Sequence, residues 1–236
     1  AFRGEEGWTP RGSRYGFRVL TRGSCAYGEL LTLRVEGAVE VPAFELLVLL
    51  HEVELWATWA PKLGGMGLRA VRFVAEASPV RKLVHVTTHL PWPLQDRDLA
   101  IAAEIADCTE EPGEAGGLVI LLDSAQAREG FPAECARQIP GAGPSRRVDV
   151  EASAIVLRPL EEPGRTELRA LMSAKVDVAL PMWLVNLAVD TMSCLVLYCL
   201  CRQAAKVNQT PAYQQRLKRD EPLYDLLRPR LARGAA

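Results

Sequence analysis

The 236 residues carry 28 basic and 29 acidic side chains, a formal net charge of -1, and 49% of them are hydrophobic. That balance excludes the electrostatic footprint of a nucleic-acid binder and leaves ample apolar material for one large domain. Six cysteines at 25, 108, 135, 194, 199 and 201 form no CxxC pair. The spacing suits neither a zinc site nor a disulfide framework, so buried free thiols in a reducing compartment, the cytoplasm, are expected.

Residues 1–14, with Gly4, Gly7, Pro10 and Gly12, read as a loose lead-in. The chain opens at Ala1 without the basic and apolar regions of a signal peptide, the start expected of a trimmed precursor or a fragment. Phe17 to Leu20 and Leu30 to Val35 read as short strands separated by a turn near Gly23 and Gly28. From Pro42 to Trp59 the period changes: Phe44, Leu47, Leu50 and Trp56 suit one helical face, which Pro61 ends. Strands are predicted next at Leu68–Ala75, Lys82–His89, Asp98–Ile105, Leu118–Leu122, Val148–Leu157 and Glu167–Val176, each bounded by Gly, Pro or acidic turns. Such spacing predicts an antiparallel meander, an α+β fold, with Ser124–Arg147 as a long loop.

A last helix is predicted from Pro181 to about Lys206, followed by a polar tail over 208–236, so the main domain is expected to span 15–207. Val178 to Cys201 approaches the length of a membrane span. Asn186, Asp190 and Ser193, however, share one helical face, and an aspartate at mid-bilayer depth costs about 2.5–3.5 kcal/mol. A helix laid across a sheet is therefore preferred to a membrane anchor.

The histidines are His51, His85 and His89. His85 and His89 stand four apart in a strand, about 13 Å, too far to share a metal ion. His51 beside Glu52 reads as a surface pair. No GxSxG, phosphate-binding glycine loop or HExxH is present, so no catalytic residue, metal or cofactor is assigned. Glu110-Glu111 and Glu161-Glu162 flank Pro-Gly turns and read as solvated charges.

Four segments then resemble, in order, the motifs of the START (steroidogenic acute regulatory protein-related lipid transfer) family. These are Trp59-Ala60-Pro61, Leu90-Pro91-Trp92-Pro93-Leu94-Gln95-Asp96-Arg97-Asp98, Ile155 to Pro159, and Leu180-Pro181-Met182-Trp183-Leu184-Val185-Asn186. The resemblance covers about 17–206. It implies a helix-grip fold, a curved antiparallel sheet wrapped around a long C-terminal helix with an internal hydrophobic tunnel. It also implies non-catalytic binding, and transfer between membranes, of a lipid. Strand alternation offers Val84, Val86, Leu99, Ile101, Ala103, Leu168, Ala170 and Met172 as wall residues, with Leu184, Leu187 and Thr191 facing them from the helix. The same alternation also suits a solid core. Pro91, Trp92 and Pro93 would form a gate loop.

In the family, choline-lipid binders place aromatic residues where Val86 and Leu99 stand here, and sterol binders place an acid and an arginine where Val84 and Ala103 stand. Their apolar replacements imply a ligand of low polarity, such as an acyl lipid, neutral glyceride, sterol or isoprenoid. The partners expected are that lipid and, transiently, a membrane surface, with the protein a monomer that attaches to membranes only peripherally. The rival expectations are a polyketide cyclase-like enzyme or regulator on a related fold, and a membrane-anchored interaction module.

Overall fold

The structure is a computed structural model; it describes residues 6–23, 28–63, 66–90, 92, 94–111, 116–125, 131–175, 186–219 and 222–232. β1 (Thr9–Arg14), β2 (Phe17–Gly23) and β3 (Leu30–Val39) lead into α1 (Ala43–His51) and a 3-10 turn (Val53–Thr58). There follow β4 (Lys62–Leu63), β5 (Met66–Ser78), β6 (Arg81–His89), β7 (Arg97–Cys108) and β8 (Gly117–Ser124). The short α2 (Ala133–Ala136) and β9 (Arg146–Arg147) precede the last hairpin, β10 (Val150–Pro159) and β11 (Thr166–Lys175). The described strands form one sheet in the order β1-β2-β3-β11-β10-β8-β7-β6-β5-β4, all neighbours antiparallel, with β9 added parallel to β7. The predicted meander is therefore present, and pairing of β3 with β11 joins the start of the chain to its end.

Bulges supply the curvature, because an extra residue on one strand bends it and increases its twist. β5 slips register against β6 at three points, and β10 slips against β11 between Glu151 and Ala154, where Ala152 has φ 21°.

The lead-in is not loose over its second half. Thr9–Arg14 pair with β2 as an edge strand, and the slip between Pro10 and Gly12 accommodates the proline, which has no N–H to donate. Tyr15 (φ 55°) and Gly16 (φ 82°) make the two-residue turn into β2, the left-handed pair that a tight hairpin requires. Gly37 lets that turn cross β3, since a Cβ there would lie 2.7 Å from the Gly16 carbonyl oxygen and 2.9 Å from Phe17.

One face of the sheet, the inner one, carries the main core. Leu46, Leu47, Val48 and Leu49 leave no side of α1 exposed, and they pack with Phe17, Val35, Leu118, Leu157 and Leu168. The terminal helix opens as a π turn (Leu187–Met192) and continues as α3 (Ser193–Ala204), placing Val189, Cys194, Leu197 and Leu200 in the same core. Its expected start at Pro181 lies outside the described residues, and its end falls two residues before Lys206.

The segment after 207 is a further correction. α4 (Pro211–Leu217) and α5 (Pro222–Ala232) follow a 3-10 turn, and they bury Tyr213, Leu223, Tyr224, Leu227 and Leu231 in the main core. Their charged residues face outward, which is why the segment reads as polar.

The opposite, outer face is covered by the segment predicted as a long loop. It holds α2 and β9, and its Cys135, Phe131 and Ile139 pack on Ala75, Leu83, Ala100 and Ala102. Five described cysteines (108, 135, 194, 199 and 201) are unpaired. Burial pushes the Cys201 thiol up to about 12, which keeps it protonated and inert.

Candidate functional site

Five of the predicted wall residues meet on the inner face of β6 and β7. Val84 is paired with Ile101, Val86 with Leu99, and Lys82 with Ala103. Val84 and Val86 are buried, and they pack with Val53 and Trp56 of the 3-10 turn and with Leu68 and Val71 of β5. Leu168 and Ala170 lie in the main core further along the sheet, with Met172 half-buried beside them. From the helix, Leu187 and Thr191 are half-buried, and the Thr191 hydroxyl accepts a 3.3 Å hydrogen bond from Arg14. Leu184, Pro91 and Pro93 lie outside the described residues. Trp92 is 92% exposed and packs on nothing in the core.

Between α1 and this wall the described residues enclose a cavity of about 40 Å³, lined by Leu47, Leu50, Val53, Val84, Ala103, Ile105 and Ile120 with His51 and Lys82 at one side. That volume suits about one or two water molecules rather than an elongated tunnel.

His51 is the site residue that the sequence reading missed. It is not a surface pair with Glu52; it is 7% exposed, at the end of α1. Its Nδ1 lies 3.0 Å from the Tyr224 hydroxyl, which donates to Glu52 at 2.8 Å. Glu52 is held in turn by Arg216 at 3.5 Å. Burial, then the Lys82 ammonium 3.3 Å away, drive the His51 pKa down to about 3, against a smaller opposing effect of the Pro79 carbonyl. The ring is therefore neutral at neutral pH. Among the described residues its Nε2 is buried without a hydrogen bond of good geometry, with the Pro79 carbonyl beside the ring. The signal was in the helix itself: His51 stands four residues from Leu47, on the face that Leu47 and Leu50 turn towards the sheet.

The other polar cluster lies on the outer face. Asp98, 1% exposed, accepts hydrogen bonds or ion pairs from His85 and Arg147, and Arg147 also donates to the Pro140 carbonyl at 2.7 Å. This closed ionic set ties β6, β7 and the covering segment together. It uses the Asp98 of the Arg97-Asp98 pair as an anchor, not as a group aimed at the inner face.

The polar face predicted on the terminal helix also has a partner. Arg11 of β1 donates to Asp190 at 2.9 and 3.1 Å and to Asn186 at 2.6 Å. Above this clamp the Tyr15 and Tyr198 rings stack with centroids 4.9 Å apart.

Neither a protein-family model nor a curated protein sequence matches the chain. Solved structures do. Human STARD10 superposes with a TM-score of 0.62 at 19% identity, covering 93% of this chain and 85% of that one. A STAR-related lipid transfer protein from Xanthomonas axonopodis gives 0.62 at 17% identity, over 85% and 99% of the two chains. Human StAR-related lipid transfer protein 5 gives 0.60 at 16% identity, over 87% and 90%. The chain folds as a START-like domain. In that START-like frame the curved sheet and C-terminal helices are common to all four chains, whereas identities this low carry the fold and not the ligand. No helix among the described residues of the START-like domain is long and apolar enough to cross a membrane.

Proposed function

We propose that this protein binds a lipid of low polarity between the inner face of its curved sheet and the terminal helix, without catalysing a reaction, and carries it between membranes. The observation that carries this reading is the paired apolar wall, Val84 and Val86 against Ile101 and Leu99, roofed by α1 and its 3-10 turn rather than by another sheet. Enclosing each CH₂ of a lipid there is worth about 0.8 kcal/mol. The names of two of the superposing structures, both lipid transfer proteins, support the same reading. Admission of the acyl chain then widens the cavity by moving α1 or the terminal helix from the sheet. The exposed indole of Trp92 is the side chain placed to meet a membrane interface, where its amphipathic ring is favoured.

The wall supplies little for catalysis: among the described residues His51 and Lys82 are the polar side chains at the cavity, and no Ser, Thr or Cys lines it beside them. A cytoplasmic, monomeric carrier that touches membranes peripherally completes the proposal. Native mass spectrometry of the purified protein, followed by organic extraction, tests it: a co-purifying neutral lipid is expected, together with transfer of a fluorescent analogue between vesicles. A protein that neither retains nor transfers any apolar molecule overturns it.

A further inference from the structure

The cavity under α1 is apolar except at one side, where His51 and Lys82 stand together. A lysine ammonium can only donate, so the 3.3 Å contact makes His51 Nδ1 the acceptor and puts the ring proton on Nε2, beside the Pro79 carbonyl. Both ring nitrogens are then engaged, and the ring's part is to hold the lysine. Lys82 has more to give. Its ammonium carries three protons; one goes to His51, and Glu76 at 3.7 Å is near enough for an ion pair but beyond a hydrogen bond. The Lys82 side chain is 16% exposed, and among the described residues no Asp or Glu lines the cavity to take a further proton from it.

We propose that the Lys82 ammonium is the donor of a subsite for the acyl oxygen of the ligand, either the ester carbonyl of a neutral glyceride or the carboxylate of a free acid. This rests on the reading that an apolar ligand occupies the inner wall, and it names that ligand's polar end. Both groups only accept hydrogen bonds, which matches a cavity side that holds a donor and no acid. A hydrogen bond from a charged donor is also the strong kind, the more so where water is excluded. The strand sets the direction of the chain. Lys82, Val84 and Val86 share one face of β6, each about 7 Å from the next, so an acyl group anchored at Lys82 lays its chain along the two valines. A volume of about 40 Å³ takes the carbonyl and its carbon at that end. Glu76, 39% exposed, and the Phe73 ring, 5.8 Å from the ammonium, meet Lys82 from outside the cavity lining. A cationic end would be repelled by the ammonium, and a bare hydrocarbon gains nothing from it.

The test measures displacement of diphenylhexatriene, an uncharged fluorescent probe, from the full chain by dodecanoate, methyl dodecanoate and dodecylammonium, and repeats it with Lys82→Met and Lys82→Arg. A wall without the subsite rejects the two ions alike, and a net charge of -1 steers neither. Dodecanoate is expected to bind at least about tenfold more tightly than dodecylammonium, the least that a hydrogen bond to a charged group contributes. Lys82→Met, which keeps the stem and removes the donors, should weaken both acyl compounds by about tenfold or more, and Lys82→Arg should restore part of the loss. Whether the acid or its ester binds wild type more tightly names the source of the acyl oxygen, and either order supports the subsite. Equal affinity of wild type for dodecanoate and dodecylammonium overturns it, and that comparison needs no variant to fold. Acyl binding that is unchanged in Lys82→Met overturns it as well. Failure of the probe to bind, or of all three compounds to displace it, removes the underlying lipid reading too, a result distinct from loss of the acyl preference alone.

Discussion

Two histidines are buried on opposite faces of one sheet, and their surroundings differ in a telling way. His85, on the outer face, meets the Asp98 carboxylate, which Arg147 balances from the covering segment. His51, on α1 against the inner face, meets Tyr224 and Lys82 through one nitrogen, while among the described residues the other has no hydrogen bond of good geometry beside a cavity. A buried polar set with every member paired acts as a fastening, because its groups have exchanged water for each other. Under the proposed function the outer cluster is architecture and the inner one borders the ligand, although both are built from the same residue types.

The comparison is broken most decisively at Asp98. Asp98→Ala leaves a buried His85 and a half-buried Arg147 without their carboxylate and is expected to cost about 3–5 kcal/mol in chemical denaturation, with little change in ligand preference for whatever fraction folds. A loss below about 1 kcal/mol would mean that the outer cluster is not a fastening. His51 offers the complementary test through pH. Its folded pKa of about 3 lies below the ordinary 6.5, so the unfolded chain takes up a proton first as pH falls. Stability should therefore decline from pH 6.5 towards 3, at up to about 1.4 kcal/mol per pH unit, and be insensitive to this group above 6.5. His51→Leu should flatten that part of the profile, and an unchanged slope in the variant would show that the ring is not held neutral. The smallest effect is expected at Arg11, which belongs to neither histidine cluster. Its ion pair with Asp190 is about one-third exposed, so Arg11→Ala should cost only about 0.2–1 kcal/mol. A larger loss would place the clamp, and not the two clusters, at the centre of the fold's stability.

The legibility of these regions from sequence followed their physics. Strands β2, β3, β5 to β8, β10 and β11 are apolar runs bounded by turn residues, and the wall residues of β6 and β7 fall on one face even though β6 buries four residues in a row because both of its faces are covered. β1 escaped because its Pro10 and Gly12 weaken any strand signal, and because its turn is Tyr-Gly rather than Asn-Gly. Stacking of Tyr15 on Tyr198 supports a left-handed tyrosine there, a tertiary contact no local pattern reveals. The last two helices did leave a signal: Pro211 and Pro222 open them, and Leu223, Leu227 and Leu231 recur every four residues. Their arginines, with Pro229 inside α5, outweighed it. His51 was misread because a histidine beside a glutamate looks solvated until a tyrosine from 173 residues away is brought against it.

The Arg11 clamp carries a kinetic consequence. It joins the first strand to the opening turn of the terminal helix, so a helix that lifts to admit a ligand must first part the three hydrogen bonds from Arg11 and the one from Arg14 on that edge strand. Two of those bonds belong to an ion pair about one-third exposed, which dissolved salt weakens. Rates of ligand uptake and release should accordingly quicken together as ionic strength rises, even for an uncharged ligand, while the affinity they define changes little.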